Sequence, residues 1–179
     1  MDTLTGVDRP AEPDGFRDFV ASRSPALLRS GWLLTGDWAS AEDLVQTALA
    51  AAWTRWANLQ RQDAPDLYVR KIMINTFLRW RQRRWNGEIA TGRLPELAAY
   101  GDVFAQVDAR QALQAALDRL PARQRAVVVL RYFADQTETQ TAAAMGCSVG
   151  AVKSHAAKAL ARLRDAPGLA ELMTGGVAS

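Results

Sequence analysis

The spacing of apolar residues is helical almost throughout the chain. The clearest apolar face advances in three- and four-residue steps: Ala41, Leu44, Val45, Ala48, Leu49, Ala52, Trp53 and Trp56. Steps of this size place side chains on one face of an α-helix. The pattern predicts helices over residues 16–34, 40–56 and 66–85, with a polar break over 58–65. Ser40 is the predicted N-cap of the second helix, because its hydroxyl can accept a bond from a free backbone N–H.

Periodicity fails after residue 85, where Gly87, Gly92 and Pro95 interrupt the pattern. A second helical block follows. We therefore predict an all-α protein of two small helical domains, residues 14–85 and 109–166. A flexible linker over residues 86–108 joins them, and residues 167–179 form a short tail. The linker is acidic, with four acids against one base.

The most specific local pattern is a helix-turn-helix over residues 137–164. Thr137 and Gln140 have the spacing of a capping box. Gly146 suits the sharp turn that ends the first helix, and Ser148 can cap the second. The outer face of that second helix carries polar and basic side chains that could enter a DNA major groove: Lys153, Ser154, His155, Lys158 and Arg162. The alternative is an ordinary helical hairpin with a solvated basic face.

The predicted helix at residues 66–85 combines basic and aromatic side chains. No acid occurs from residue 67 to residue 87, whereas six bases do. Arginines can hold phosphates while aromatic rings stack on unpaired bases, so the helix suits single-stranded DNA. The alternative puts the aromatics in the core and leaves the arginines in solvent. We expect core positions for Phe77, Trp53 and Trp32, which fall on apolar stripes. We expect nucleic-acid contact for Arg79, Arg83 and Arg84.

Composition narrows the chemistry. The 179 residues carry a net charge of +3, which is compatible with an anionic partner. With a single cysteine, Cys147, and a single histidine, His155, almost no transition-metal chemistry is available. No cofactor, metal or catalytic residue is predicted, so we expect a binding protein rather than an enzyme. No apolar run approaches the length of a membrane span, and the polar start is unlike a secretory signal, so the expected location is the cytoplasm.

Several runs, taken in order, resemble one family. AEDLVQ at residues 41–46 and YVRKIMIN at 68–75 resemble region 2 of bacterial RNA polymerase sigma factors. LPARQR at 120–125, LRY at 130–132 and VGAVKS at 149–154 resemble region 4. The resemblance covers residues 16–164 and is to the extracytoplasmic-function (ECF) subfamily of the sigma-70 family.

The resemblance implies partners and residue roles. Core RNA polymerase would bind through its β′ coiled coil to Glu42, Asp43 and Gln46, and through its β flap to the helix at residues 123–133. The turn at 58–63, represented by Leu59 and Gln60, would hold a base flipped from the promoter −10 element. The DNA strand and adjoining duplex would contact Asn75, Arg79, Trp80, Arg83 and Arg84. The five outer-face residues of the helix-turn-helix would bind the −35 element. The resemblance also leaves room for an anti-sigma factor.

Two other classes of protein remain as alternatives at this stage. A dimeric helix-turn-helix regulator would bind palindromic duplex sites without being a polymerase subunit. The basic aromatic helix argues against it. A nuclease or recombinase fragment would need acidic metal ligands beside the basic tract, and no cluster of acids with metal-ligand character lies there.

Overall fold

The computed structural model describes residues 12–62, 64–85 and 104–166. Within those ranges the regular structure is entirely helical, which confirms the predicted all-α class. The elements are α1 (Phe16–Thr35), α2 (Trp38–Trp53), α3 (Trp56–Arg61), α4 (Pro65–Trp85), α5 (Phe104–Asp118), α6 (Ala122–Val128), α7 (Glu138–Met145) and α8 (Val149–Arg164). A π-helical segment, Val129–Phe133, continues α6. None of the described helices has the length and apolarity that crossing a membrane requires.

The first half is a bundle in which α2 packs against both α1 and α4. The apolar face predicted for α2 is the buried one, with Leu44 and Ala48 fully enclosed. At the base of the bundle, Phe16 lies edge-on to Trp53 and Trp56, with ring centroids 5.0 and 4.9 Å away. The Trp56 indole nitrogen donates to the Asp14 carbonyl at 2.8 Å, so the ring's polar end is satisfied as it is buried.

The turn between α1 and α2 corrects the predicted cap. Gly36 ends α1 in the left-handed region at φ 78°, and its N–H donates to the Trp32 carbonyl at 2.7 Å. Asp37 is the N-cap of α2, because its carboxylate accepts from the Ser40 N–H at 2.7 Å. Ser40 therefore lies in the first turn of the helix and does not cap it.

The polar break predicted over residues 58–65 is also wrong in part. Residues 56–61 form the short helix α3, whose buried side chains are Trp56 and Leu59. A tight turn follows, in which the Ala64 N–H donates to the Leu59 carbonyl at 3.2 Å. The two buried side chains fix α3 against the bundle, so burial outweighs the polar composition of the segment.

The helix-turn-helix forms as predicted. Thr137 accepts from the Gln140 N–H at 3.1 Å, and the Gln140 side chain accepts from the Thr137 N–H at 2.8 Å. Gly146 ends α7 at φ 61°, and the Ser148 hydroxyl caps α8 by accepting from the Ala151 N–H at 3.1 Å. The face of α8 that packs toward α6 and α7 is centred on buried Val152, Ala159 and Leu163.

The two halves pack against each other. Helix α7 lies along α4, and the π-helical segment lies on α1. The crevice at their junction is lined by Leu34, Met73 and Ile74 from the first half and by Val129 and Leu130 from the second. Helix α5 begins at Phe104, so residues 104–108 of the predicted linker are helical. Residues 86–103 of that linker, and the tail at 167–179, lie outside the described residues.

Candidate nucleic-acid interface

Four of the five predicted side chains on α8 are exposed, and Arg162 among them also bonds to another helix. Lys153, Ser154 and Lys158 are exposed, and the first two lie within two turns of the capped N-terminus. The Lys153 ammonium is 3.6 Å from the Glu138 carboxylate of α7, yet 64% of its side chain remains accessible. An exposed pair of this kind contributes little stability, so the lysine stays available to an anion.

The other two predicted side chains of α8 also have roles inside the protein. His155 is half-buried, and its Nδ1 atom is enclosed without a hydrogen-bond partner in the described structure. Arg162 is exposed, but its Nη1 donates to the buried Gln124 side chain of α6 at 3.0 Å. Arg162 thus joins α8 to α6 while the rest of its guanidinium faces solvent.

Helix α4 carries a second exposed basic face. Asn75, Arg79 and Arg83 are four residues apart, so they form a line along the helix, and all three are exposed. Arg84 is exposed beside them, whereas the Trp80 ring is half-buried against the core. The Arg79 guanidinium donates to the Thr76 hydroxyl at 3.3 Å, which leaves most of its donors free.

The acidic Asp37 lies near the C-terminal end of this basic face. Burial raises the pKa of the Asp37 carboxyl, but hydrogen bonds from Ser40 and the charge of Arg84 outweigh it and hold that pKa below its ordinary value. The α1–α2 turn therefore places a carboxylate close to the basic C-terminal end of α4.

The residues predicted to hold a flipped base divide between the core and the surface. Leu59 is only 6% exposed, since α3 turns it into the bundle, so its side chain does not reach a DNA base in this arrangement. Gln60 is exposed, and its amide donates to the Asp14 carbonyl at 2.9 Å. Of this pair, only Gln60 remains a candidate contact.

The predicted polymerase face of α2 is open. Glu42, Asp43 and Gln46 are exposed on the side opposite the buried apolar stripe. Neither carboxylate makes a salt bridge with any residue that the structure describes. The segment predicted to bind the β flap, residues 123–133, is mostly enclosed. Gln124 to Leu130 are buried, and only Arg123, Tyr132 and Phe133 are exposed. The β flap could reach only those ends while the halves are packed.

Sequence reasoning missed two residues that the structure makes conspicuous. Trp38 is 43% exposed at the start of α2, one turn before Glu42. Its position four residues before Glu42 was the available signal. Arg125 is 1% exposed and spans the junction of the two halves. Nothing in its local sequence distinguishes it from a solvated arginine.

Two family models match the chain. The model described as Sigma-70 region 2 matches residues 19–87, and the one described as Sigma-70, region 4 matches residues 110–163. The RNA polymerase sigma-E factor of Streptomyces coelicolor is 42% identical over 150 residues, which are 84% of this chain and 84% of that protein. The ECF RNA polymerase sigma factor SigM of Mycobacterium tuberculosis is 34% identical over 123 residues, 69% of this chain and 62% of SigM.

A solved structure with the same architecture agrees with these matches. The sigma factor RpoE of Bartonella quintana, determined in complex with the anti-sigma factor NepR, superposes with a TM-score of 0.67 at 25% identity. The superposition covers 86% of this chain and 96% of that one. With both regions matched in order and close relatives over most of its length, the chain belongs to the extracytoplasmic-function subfamily of the sigma-70 family of RNA polymerase sigma factors.

Proposed function

We propose that this sigma factor binds core RNA polymerase and directs it to promoters by contacting the −10 element with α4 and the −35 element with α8. The observation that carries the proposal is that one chain presents two exposed basic helix faces of different character. One lies on a capped helix-turn-helix, and the other lies on a helix with interleaved aromatic rings. The proposed activity is binding rather than catalysis, and its proposed location is the cytoplasm, where transcription would take place.

The face of α4 is suited to a single DNA strand. Asn75, Arg79 and Arg83 follow the helix in one line, and their donors can contact successive phosphates or base edges. The Trp80 ring next to Arg79 packs partly on the core, and we propose that its accessible part stacks on an unpaired base. We propose that this surface captures the strand as the duplex opens, which offsets the few kcal/mol that unstacking a base costs.

The face of α8 is suited to a duplex. Lys153 and Ser154 lie in its N-terminal half, the part that reaches base edges when such a helix enters the major groove. Lys158, one turn further on, suits a phosphate, whose contact positions the helix without specifying sequence. His155 is half-buried, so we propose that it supports the packing of α8 and contacts DNA with its outer edge only.

The packed arrangement of the halves implies an opening step. The −10 and −35 elements are about 25 base pairs apart, which is roughly 85 Å of duplex at about 3.4 Å per base pair. A compact body of about 150 residues has a radius of gyration near 15 Å and is roughly 40 Å across. It cannot contact both elements at once, so we propose that the halves separate on polymerase. The relative solved with NepR suggests that an anti-sigma factor could instead stabilise the packed form.

The test is run-off transcription with purified core polymerase on promoter fragments. We expect specific transcripts with the wild type and a loss of open complex, seen by permanganate footprinting, for Arg79→Ala/Arg83→Ala. Arg23→Ala, at an exposed position on α1, a helix that carries neither face, is the control. No gain of start-site choice over core polymerase alone would reject the proposal. Specific duplex binding by a dimer without polymerase would favour a conventional regulator instead.

A further inference from the structure

Trp38 is an apolar side chain left open on a face that is otherwise acidic and polar. Large hydrophobic side chains are exposed at only three positions in the described ranges, Trp38, Tyr132 and Phe133, and Trp38 is the one in the first half. Its 43% exposure contrasts with the other tryptophans of that half whose burial is described, all of which are buried or half-buried. Packing in the core therefore does not explain why a tryptophan stands at this position.

The ring is held in place by the structure beneath it. Trp38 stacks on the half-buried Trp32 of α1, with centroids 5.9 Å apart and planes 26° from parallel. The backbone before it is fixed as well, because the Thr35 hydroxyl lies 2.9 Å from the carbonyl oxygens of both Gly31 and Asp37. A side chain held in one orientation loses little conformational entropy on binding, which favours its use as an anchor.

The position of Trp38 on α2 places it in line with the proposed polymerase contacts. Trp38, Glu42 and Gln46 are four residues apart and therefore follow one stripe of the helix, with Asp43 beside it. All four of these residues are exposed. Helix α2 has no lysine or arginine, so its open face is negative although the whole chain has a net charge of +3.

We propose that Trp38 is the apolar anchor of the polymerase-binding surface, inserting its ring into a pocket beside basic side chains of core polymerase that pair with Glu42 and Asp43. This inference rests on the proposed function, because it takes α2 as the face that polymerase binds. DNA is the less suitable occupant of this stripe, since Glu42 and Asp43 repel phosphates and α2 carries no basic residue to offset them. Tryptophan is among the residue types most enriched in binding hot spots, where polar contacts around it exclude water.

The experiment compares full-length Trp38→Ala, Trp38→Phe and Glu42→Ala with the wild type for binding to purified core polymerase. Truncating a hot-spot tryptophan weakens binding about 30-fold or more, so we expect at least that change in Kd for Trp38→Ala. Trp38→Phe keeps an aromatic ring over Trp32 and should lose less. Arg23→Ala, exposed on α1, should bind as the wild type does. Circular dichroism and urea melts check that each variant is folded.

Hydroxyl-radical footprinting of the wild type provides a readout that needs no variant. Trp38 should be oxidised in the free protein and protected when core polymerase is bound. Equal oxidation in both states, or a folded Trp38→Ala with the Kd of the wild type, would overturn the anchor assignment. If Glu42→Ala still weakens binding in that case, α2 remains the proposed polymerase-binding face and only the role of Trp38 is rejected. Failure of the wild type to bind core polymerase would instead reject the proposed function itself.

Discussion

A buried arginine joins the two halves of the protein, and its replacement should show how much that junction contributes to stability. The Arg125 Nε donates to the Leu33 carbonyl near the end of α1 at 2.7 Å, and its Nη1 lies 2.6 Å from an Asp118 carboxylate oxygen. Burial lowers the pKa of the guanidinium and outweighs the opposing effect of Asp118, but arginine remains protonated at any ordinary pH. A charge is therefore held at the junction by one carbonyl and one carboxylate.

We expect Arg125→Met to destabilise the protein by about 2 kcal/mol. The hydrogen bond from a charged donor to the Leu33 carbonyl contributes about 1.5–3 kcal/mol, and its loss leaves that carbonyl without this donor. The pair with Asp118 adds about 0–1 kcal/mol, because 55% of that carboxylate is exposed and water screens it. Removing the cost of burying the guanidinium, whose Nη2 has no partner in the described structure, offsets part of the loss.

Urea denaturation measures the effect. With a denaturant dependence of about 2 kcal/mol per molar urea, the midpoint should fall by about 1 M. Arg123→Met is the matched control, since Arg123 lies on the same helix but is exposed, and it should change stability by less than about 0.5 kcal/mol. Asp118→Asn added to Arg125→Met should cost nothing further, because the carboxylate then has no arginine to pair with. A midpoint for Arg125→Met that matches the control would refute the reasoning.

Three further predictions concern local features. Gly146→Ala should cost about 1 kcal/mol and lower the Tm, because a Cβ has open space there but φ is 61°; an unchanged Tm would contradict this. Thr137→Ala should cost about 0.5–2 kcal/mol by removing the capping acceptor, with Thr137→Ser as the control that keeps it in a urea melt. The stabilising contribution of the Asp37 carboxylate should be complete above its ordinary pKa of 3.8 and be lost as the pH falls through the lower folded-state value. If the wild type stays more stable than Asp37→Asn at a pH well below that value, the ionised carboxylate is not the source of the stability.

Local sequence was sufficient for the long helices and for the helix-turn-helix, but not for α3, whose position depends on the burial of Trp56 and Leu59. Capping boxes and turn glycines act through bonds between residues a few positions apart, so Thr137, Gln140 and Gly146 could be identified without knowing the fold. At the start of α2, in contrast, local sequence allowed two N-caps and the prediction chose the wrong one. Asp37 and Ser40 are both good caps within one turn, and the backbone path from Gly36 decides between them.

The candidate site was predictable where it depended on charge and helical period. The line of Asn75, Arg79 and Arg83 along α4 follows from spacing, and so does the outward position of Lys153 and Ser154 on α8. The structure leaves all five exposed. Leu59 was assigned to the DNA contact by the resemblance of the turn at 58–63, whereas its apolar side chain enters the core. Whether a half-buried residue such as His155 faces a partner or a neighbouring helix depends on packing that spacing does not encode.

The order of the long helices, the caps of the helix-turn-helix and the distribution of charge were determined by the sequence alone, since each arises from interactions within one or two helical turns. Tertiary structure decided which of these surfaces remain open. An arginine and a tryptophan have the same local pattern whether solvated or enclosed, so only the packing of distant segments could bury Arg125 between the halves and leave Trp38 on the outside. That packing depends on contacts between residues some 90 positions apart, such as Arg125 and Leu33, which no local period records.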